Sequence, residues 1–94
     1  MQYDLEGRTL QLSKDVVLLI KRINVVEINR NIVLQLLRSV TSVGANYREA
    51  NGGSSRKDFK NKIYICRKEI QETKYWVELL ATTNPENKED LRKI

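Results

Sequence analysis

The sequence predicts an all-α protein, an up-down-up-down four-helix bundle whose fourth helix is short or truncated. Three observations lead there. Apolar residues recur at three- and four-residue steps through three long segments, with no alternating strand pattern. Breakers are scarce, with one Pro and four Gly in 94 residues. The balance of 40% hydrophobic and 31% charged residues is that of one globular domain, residues 1–94.

The first helix is expected from about Thr9 to Ile23. Leu12, Val16, Leu19, Ile20 and Ile23 share one face, with Leu18 outside it. Asn24 to Asn29 reads as a connector, and Asn29 as an N-cap whose side-chain oxygen accepts a free backbone N–H.

The second helix is expected from about Arg30 to Ala50. Val33, Leu36, Leu37, Val40, Val43 and Tyr47 form its apolar stripe. Gly44 joins that stripe, where it costs about 1 kcal/mol against Ala but lets a neighbour approach closely. The opposite face holds Gln35, Arg38, Ser39, Ser42, Ala45, Asn46 and Glu49. Its short polar side chains read as a contact surface. Asn51-Gly52-Gly53 ends the helix. Ser54 or Ser55 caps the next, with Asp58 completing a box-like pair.

The third helix, about Ser55 to Ala81, has the clearest period. Phe59, Ile63, Cys66, Ile70, Thr73, Val77 and Leu80 step by alternating fours and threes, a heptad seam expected to be buried. A second arc carries Ile65, Glu69, Glu72, Trp76 and Leu79, and is expected to meet the first helix or another subunit. Thr82 to Asn84 is a loop, and Pro85 suits the first turn of a last helix. There Leu91 and Ile94 begin an apolar stripe.

Composition excludes several chemistries. With no His and one Cys, the usual zinc and transition-metal ligand sets cannot form within one chain. Catalytic triads and Cys-His pairs fall for the same reason. No phosphate-binding glycine motif is present. The expectation is therefore no enzyme, no catalytic residue, no metal and no cofactor. No apolar run reaches the ~18 residues of a membrane span. Met1 to Leu10 lacks the layout of a signal peptide, and a lone Cys fits a reducing compartment, so a cytoplasmic protein is expected.

The formal charge of +5 is concentrated in one place. Between Arg56 and Lys68 stand six basic residues against Asp58 alone; the remainder of the chain holds eleven of each sign. At 100° per residue, Arg56, Lys60, Arg67 and Lys74 share a stripe, flanked by Lys57, Tyr64, Lys68 and Tyr75. Arginines and lysines neutralise phosphates, and tyrosines stack on unpaired bases. Arg56, Lys57, Lys60, Tyr64, Arg67 and Lys68 are thus candidate RNA contacts; the plainer reading is a solvated helix face.

Glu69 and Glu72 resemble half of a bundle di-metal site, but the His such sites add is missing. Folding back across Gly52-Gly53 brings Arg38 level with Glu69, so structural pairing is the expectation. If that pair is buried, removing one partner costs roughly 3–5 kcal/mol. Cys66, on the seam, reads as a small buried hydrophobe.

The segments LLRSVTSVGANYREA and SSRKDFKNKIYICRKEIQETKYWVELL resemble the bacterial four-helix-bundle proteins encoded in intervening sequences of large-subunit ribosomal RNA genes. The resemblance covers Gln35 to Leu80. It rests on Arg38-Ser39, Ser42, Asn46, Glu49-Ala50, Ser55 with Asp58-Phe59, Glu69, Glu72 and Trp76 to Leu80. It implies an up-down bundle assembling as a ring-like homopentamer. Arg38, Ser42, Asn46, Glu49, Glu69, Glu72 and Trp76 are expected to serve structure or interfaces. This chain departs in its short fourth helix. A more distant similarity is to the accessory variability protein of diversity-generating retroelements, which binds a reverse transcriptase and RNA. The leading expectation is a non-catalytic, self-assembling bundle that contacts RNA. The alternative is a protein-docking adaptor, such as an accessory subunit of a reverse transcriptase or other nucleic-acid enzyme.

Overall fold

The computed structural model describes residues 4–53 and 55–94. It is an all-α four-helix bundle with a short last helix. Helix α1 spans Leu5–Lys21, α2 Arg30–Asn51, α3 Arg56–Thr83 and α4 Lys88–Arg92. At 28 residues, α3 is the longest. A single 3-10 turn, Pro85–Asn87, leads into α4, with Pro85 at its first position.

Helix α1 begins at Leu5, ahead of the expected Thr9, because Asp4 caps it. The Asp4 Oδ1 accepts from the Gly7 N–H at 2.9 Å, and Glu6 adds favourable negative charge to the first turn. The α3 start is capped by Ser55, which accepts from the Asp58 N–H at 3.0 Å. Ser54, the other candidate cap, lies outside the described residues.

Helix α2 is central, with α1 along one side and α3 along the other. The core joins Val16, Leu19 and Ile23 to Val33, Leu36 and Val40, and is completed by Leu80 and Leu91. Leu91 is fully buried, so α4 contributes to the core at one end only. The molecule is long and flat, 44 × 26 × 16 Å. An open groove remains between α1 and α3, lined by Leu12, Val43, Ile70 and Thr73.

That groove corrects the expected seam. Cys66, Thr73 and Leu80 are buried, but Phe59 and Ile70 are exposed, 42% and 38%. Their side of α3 faces the space that five residues of α4 do not reach. Part of the second arc is engaged within the chain, with Trp76 packed on the core and Glu69 bonded to Arg38 of α2.

Two further expectations change. Asn29 stands at the start of α2 but makes no side-chain cap bond. Its Oδ1 instead accepts from the Val26 N–H, and its Nδ2 donates to the Asn24 carbonyl and to Asn84 Oδ1. Gly44 does not mark an unusually close approach. A Cβ there would stand 3.6 Å from Thr9 Oγ1, ordinary contact distance.

Candidate functional site

Helix α3 carries the basic surface. Arg56, Lys57, Lys60, Arg67 and Lys68 are all exposed, and so is Tyr64 at 70%. Among the described residues, none of these five cations lies within ion-pair distance of a carboxylate. Lys62, in the same charged window, points elsewhere. Its Nζ donates to Glu49 Oε2 of α2 at 2.6 Å. Six residues after Arg56 it stands about 240° around the helix, so the window's excess charge is not all on one face. From Arg56 to Lys74 the stripe runs about 27 Å. Tyr75, 59% exposed, extends the aromatic part of the surface.

A second polar group lies where α2 meets α3. Arg38 reaches across with a forked grip. Its Nη1 donates to Glu69 Oε2 at 2.8 Å and its Nη2 to Glu72 Oε1 at 3.0 Å. Its Nε donates to Gln35 Oε1, which fixes the plane of the guanidinium. Glu69 is buried, and burial alone would raise its pKa. Hydrogen bonds with Glu72, Arg38 and Ser42 outweigh that and hold its carboxyl below the usual range. Glu72 moves the other way, raised chiefly by its hydrogen bond with Glu69. The two carboxyls therefore titrate as an interacting pair rather than independently.

The short polar side chains of α2 are used within the chain. Ser39 is fully buried and accepts from the Thr73 hydroxyl at 2.9 Å. Asn46 donates to the Ser42 carbonyl of its own helix. The sequence placed Ser39 on a contact face without naming its partner; Thr73, the one polar residue of the seam, was the available signal. Trp76 is partly buried and edge-on to Tyr75, with ring centroids 5.1 Å apart. Its Nε1 is buried and meets no acceptor among the described residues.

Chemistry at these groups is limited. The Cys66 thiol is buried, which raises its pKa, and it donates to the Val43 carbonyl at 3.4 Å. A protonated, enclosed thiol is a poor nucleophile. Among the described residues no group of three or more His, Cys, Asp or Glu is placed to hold a metal ion. Nor is any described helix long and apolar enough to cross a membrane.

Residues 3–94 match the sequence model of the 23S rRNA-intervening sequence protein family. The chain belongs to that family. No curated protein matches it. Among solved structures, it is similar to a protein of unknown function from the S23 ribosomal protein family of Bacteroides thetaiotaomicron VPI-5482. The two are 38% identical, with a TM-score of 0.78 over 94% of this chain and 82% of that one. As a 23S rRNA-intervening sequence protein, the chain presents two distinct polar surfaces. The cation of the Arg38 group is paired by Glu69 and Glu72 between α2 and α3, whereas those of the basic stripe of α3 have no carboxylate partner among the described residues.

Proposed function

We propose that this protein is a non-catalytic, self-assembling bundle of the cytoplasm that contacts RNA through the open face of α3. The observation that carries the reading is the row of five exposed cations, unpaired among the described residues, with Tyr64 between them. Unpaired lysines and arginines gain from releasing the counterions of a phosphate chain. An exposed tyrosine among them offers a ring to an unstacked base. Membership of a ribosomal RNA-associated family supports the same ligand class.

Self-assembly, pentameric by family resemblance, multiplies weak contacts through effective concentration. Large apolar side chains left outside the single chain support it: Ile28 is 75% exposed, and Leu18 and Leu34 are each 57% exposed.

The test is single-stranded RNA affinity across a salt series, for the parent and for a Lys57→Gln, Lys60→Gln, Arg67→Gln variant. Losing three phosphate contacts should flatten the log–log salt slope by about 2. Identical curves would overturn the RNA reading. A protein that co-purifies after nuclease treatment, with no RNA affinity at low salt, would favour the docking-adaptor alternative instead.

A further inference from the structure

Helix α1 has a second apolar face, pointing away from the core. Leu10 and Val17 lie on it, 42% and 40% exposed, while Leu18 stands about 100° further round the helix. Leu10 and Val17 are two helical turns apart on one stripe, with the small Ser13 between them. Beside Leu10 the surface dips into a groove between α1 and α2, floored by Ser13, Thr41, Gly44 and Ala45. The same stripe continues to Glu6 at one end and Lys21 at the other. Glu6 has only a loose partner, Arg48 at 3.8 Å, and Lys21 has none among the described residues.

We propose that this face pairs with its own copy, α1 against α1 in antiparallel sense about a twofold axis. The register follows from the sequence. Centring the axis between Ser13 and Lys14 sets Leu10 against Val17 of the second copy, and Val17 against its Leu10. The same axis sets Glu6 against Lys21 of the second copy, and Lys21 against its Glu6. Every apolar contact and every charge pair thus occurs twice, as an isologous contact requires. The parallel arrangement would oppose Glu6 to Glu6 and Lys21 to Lys21, so charge selects the antiparallel one. Ser13 at the centre turns its hydroxyl to the Val40 carbonyl of α2, so it adds little bulk to the contact. Lys14 stands at the rim, where its stem can carry the ammonium into water.

A twofold contact joins copies in pairs, whereas a five-membered ring uses head-to-tail surfaces. The α1 contact is therefore separate from the ring, and each can fail alone. On a ring it would pair one particle with another.

The test uses the full chain in a Cys66→Ala background, with folding checked by circular dichroism. Leu10→Cys with Val17→Cys, treated with copper-phenanthroline, should give a covalent dimer. Peptide mapping should place its disulfide between positions 10 and 17 of different chains. Either cysteine alone should give none, since position 10 lies about 10 Å along the axis from its own copy. Lys21→Glu should weaken the pairing roughly tenfold, and adding Glu6→Lys should restore it. Equal cross-linking by the single variants, no dimer from the double variant, or no rescue by the charge swap would each overturn the contact. Native mass spectrometry of the parent separates the outcomes. A ring without α1 cross-links defeats this contact and leaves the ring; cross-linked pairs without a ring do the reverse.

Discussion

Arg38 and Glu69 meet across the α2–α3 interface at 2.8 Å, and they share the contact unequally: the Glu69 side chain is 8% exposed, that of Arg38 45%. The carboxylate is thus held in the interior by a cation that remains half in water. The cost of losing that cation lies between the surface and buried cases. Arg38→Ala should destabilise the protein by about 2 kcal/mol in urea unfolding, less than a fully buried pair would. The pH dependence has a definite sign. Glu69 titrates below its ordinary value when folded, so its contribution is present above the usual carboxylate range and lost as pH falls through the lowered value. In Arg38→Ala that protection goes, and acid unfolding should begin at higher pH. Glu72, raised when folded, has the opposite sign: its contribution is present at low pH and lost as pH rises. Glu72→Gln keeps an acceptor for Arg38 and removes the repulsion. It should not lower the melting temperature at neutral pH. A clear drop would mean that the Glu72 charge is needed.

Asn29 should matter more than an N-cap. It is 1% exposed, and its amide serves Val26, Asn24 and Asn84 at once. The Asn84 bond, at 2.9 Å, ties the α1–α2 connector to the α3–α4 junction. Asn29→Ala strands several polar groups in the interior and should cost about 2–3 kcal/mol. Replacing a simple cap would cost about 1 kcal/mol. Chemical denaturation distinguishes the two.

Gly44 gives a test in the stabilising direction. Its backbone is helical, and the space beside it accepts a methyl group at ordinary contact distance from Thr9. Gly44→Ala should therefore raise stability by about 0.5–1 kcal/mol through helix propensity and a less flexible unfolded chain. A loss of stability would show that Thr9 cannot tolerate the contact.

The helices and their order were legible because each long segment carries its own period. Arg38 opposite Glu69 was legible too, since a hairpin folded at Gly52-Gly53 fixes the register. What could not be read locally was anything set by α4. Five residues of helix leave Phe59 and Ile70 uncovered, and no property of the α3 sequence announces that. The Asn29–Asn84 bond joins residues 55 apart, and Asn at a helix start has a ready local explanation that hid it. The basic residues were visible as a count. Lys62 turning to Glu49 required the opposing helix to be in place.

Trp76 carries both a large packed ring and an unpaired buried N–H. The two separate by substitution. Trp76→Phe keeps most of the packing and removes the orphan donor, so it should lie within about 1 kcal/mol of the parent. Trp76→Ala removes the packing as well and should cost about 3 kcal/mol. Circular dichroism melts of both variants report the difference. Equal losses would mean that the indole nitrogen has a partner that phenylalanine cannot replace.

Tyr64 offers the sharpest probe of the α3 surface, because it carries no charge. It is 70% exposed, with Lys60 and Lys68 one turn away on either side. Stacking of one base on an aromatic ring is worth at least about 1 kcal/mol. Tyr64→Ala should therefore weaken single-stranded RNA binding by roughly fivefold or more. Its salt slope should match the parent's, because no phosphate contact is lost. Tyr64→Phe should retain the affinity, since the ring remains. A duplex of the same sequence keeps its bases stacked and should bind parent and variant alike. Fluorescence anisotropy on both RNAs at two salt concentrations makes the comparison. If Tyr64→Ala binds single strands as the parent does, bases do not stack there. If it loses equally on duplex, the tyrosine acts through the shape of the helix face rather than through its ring.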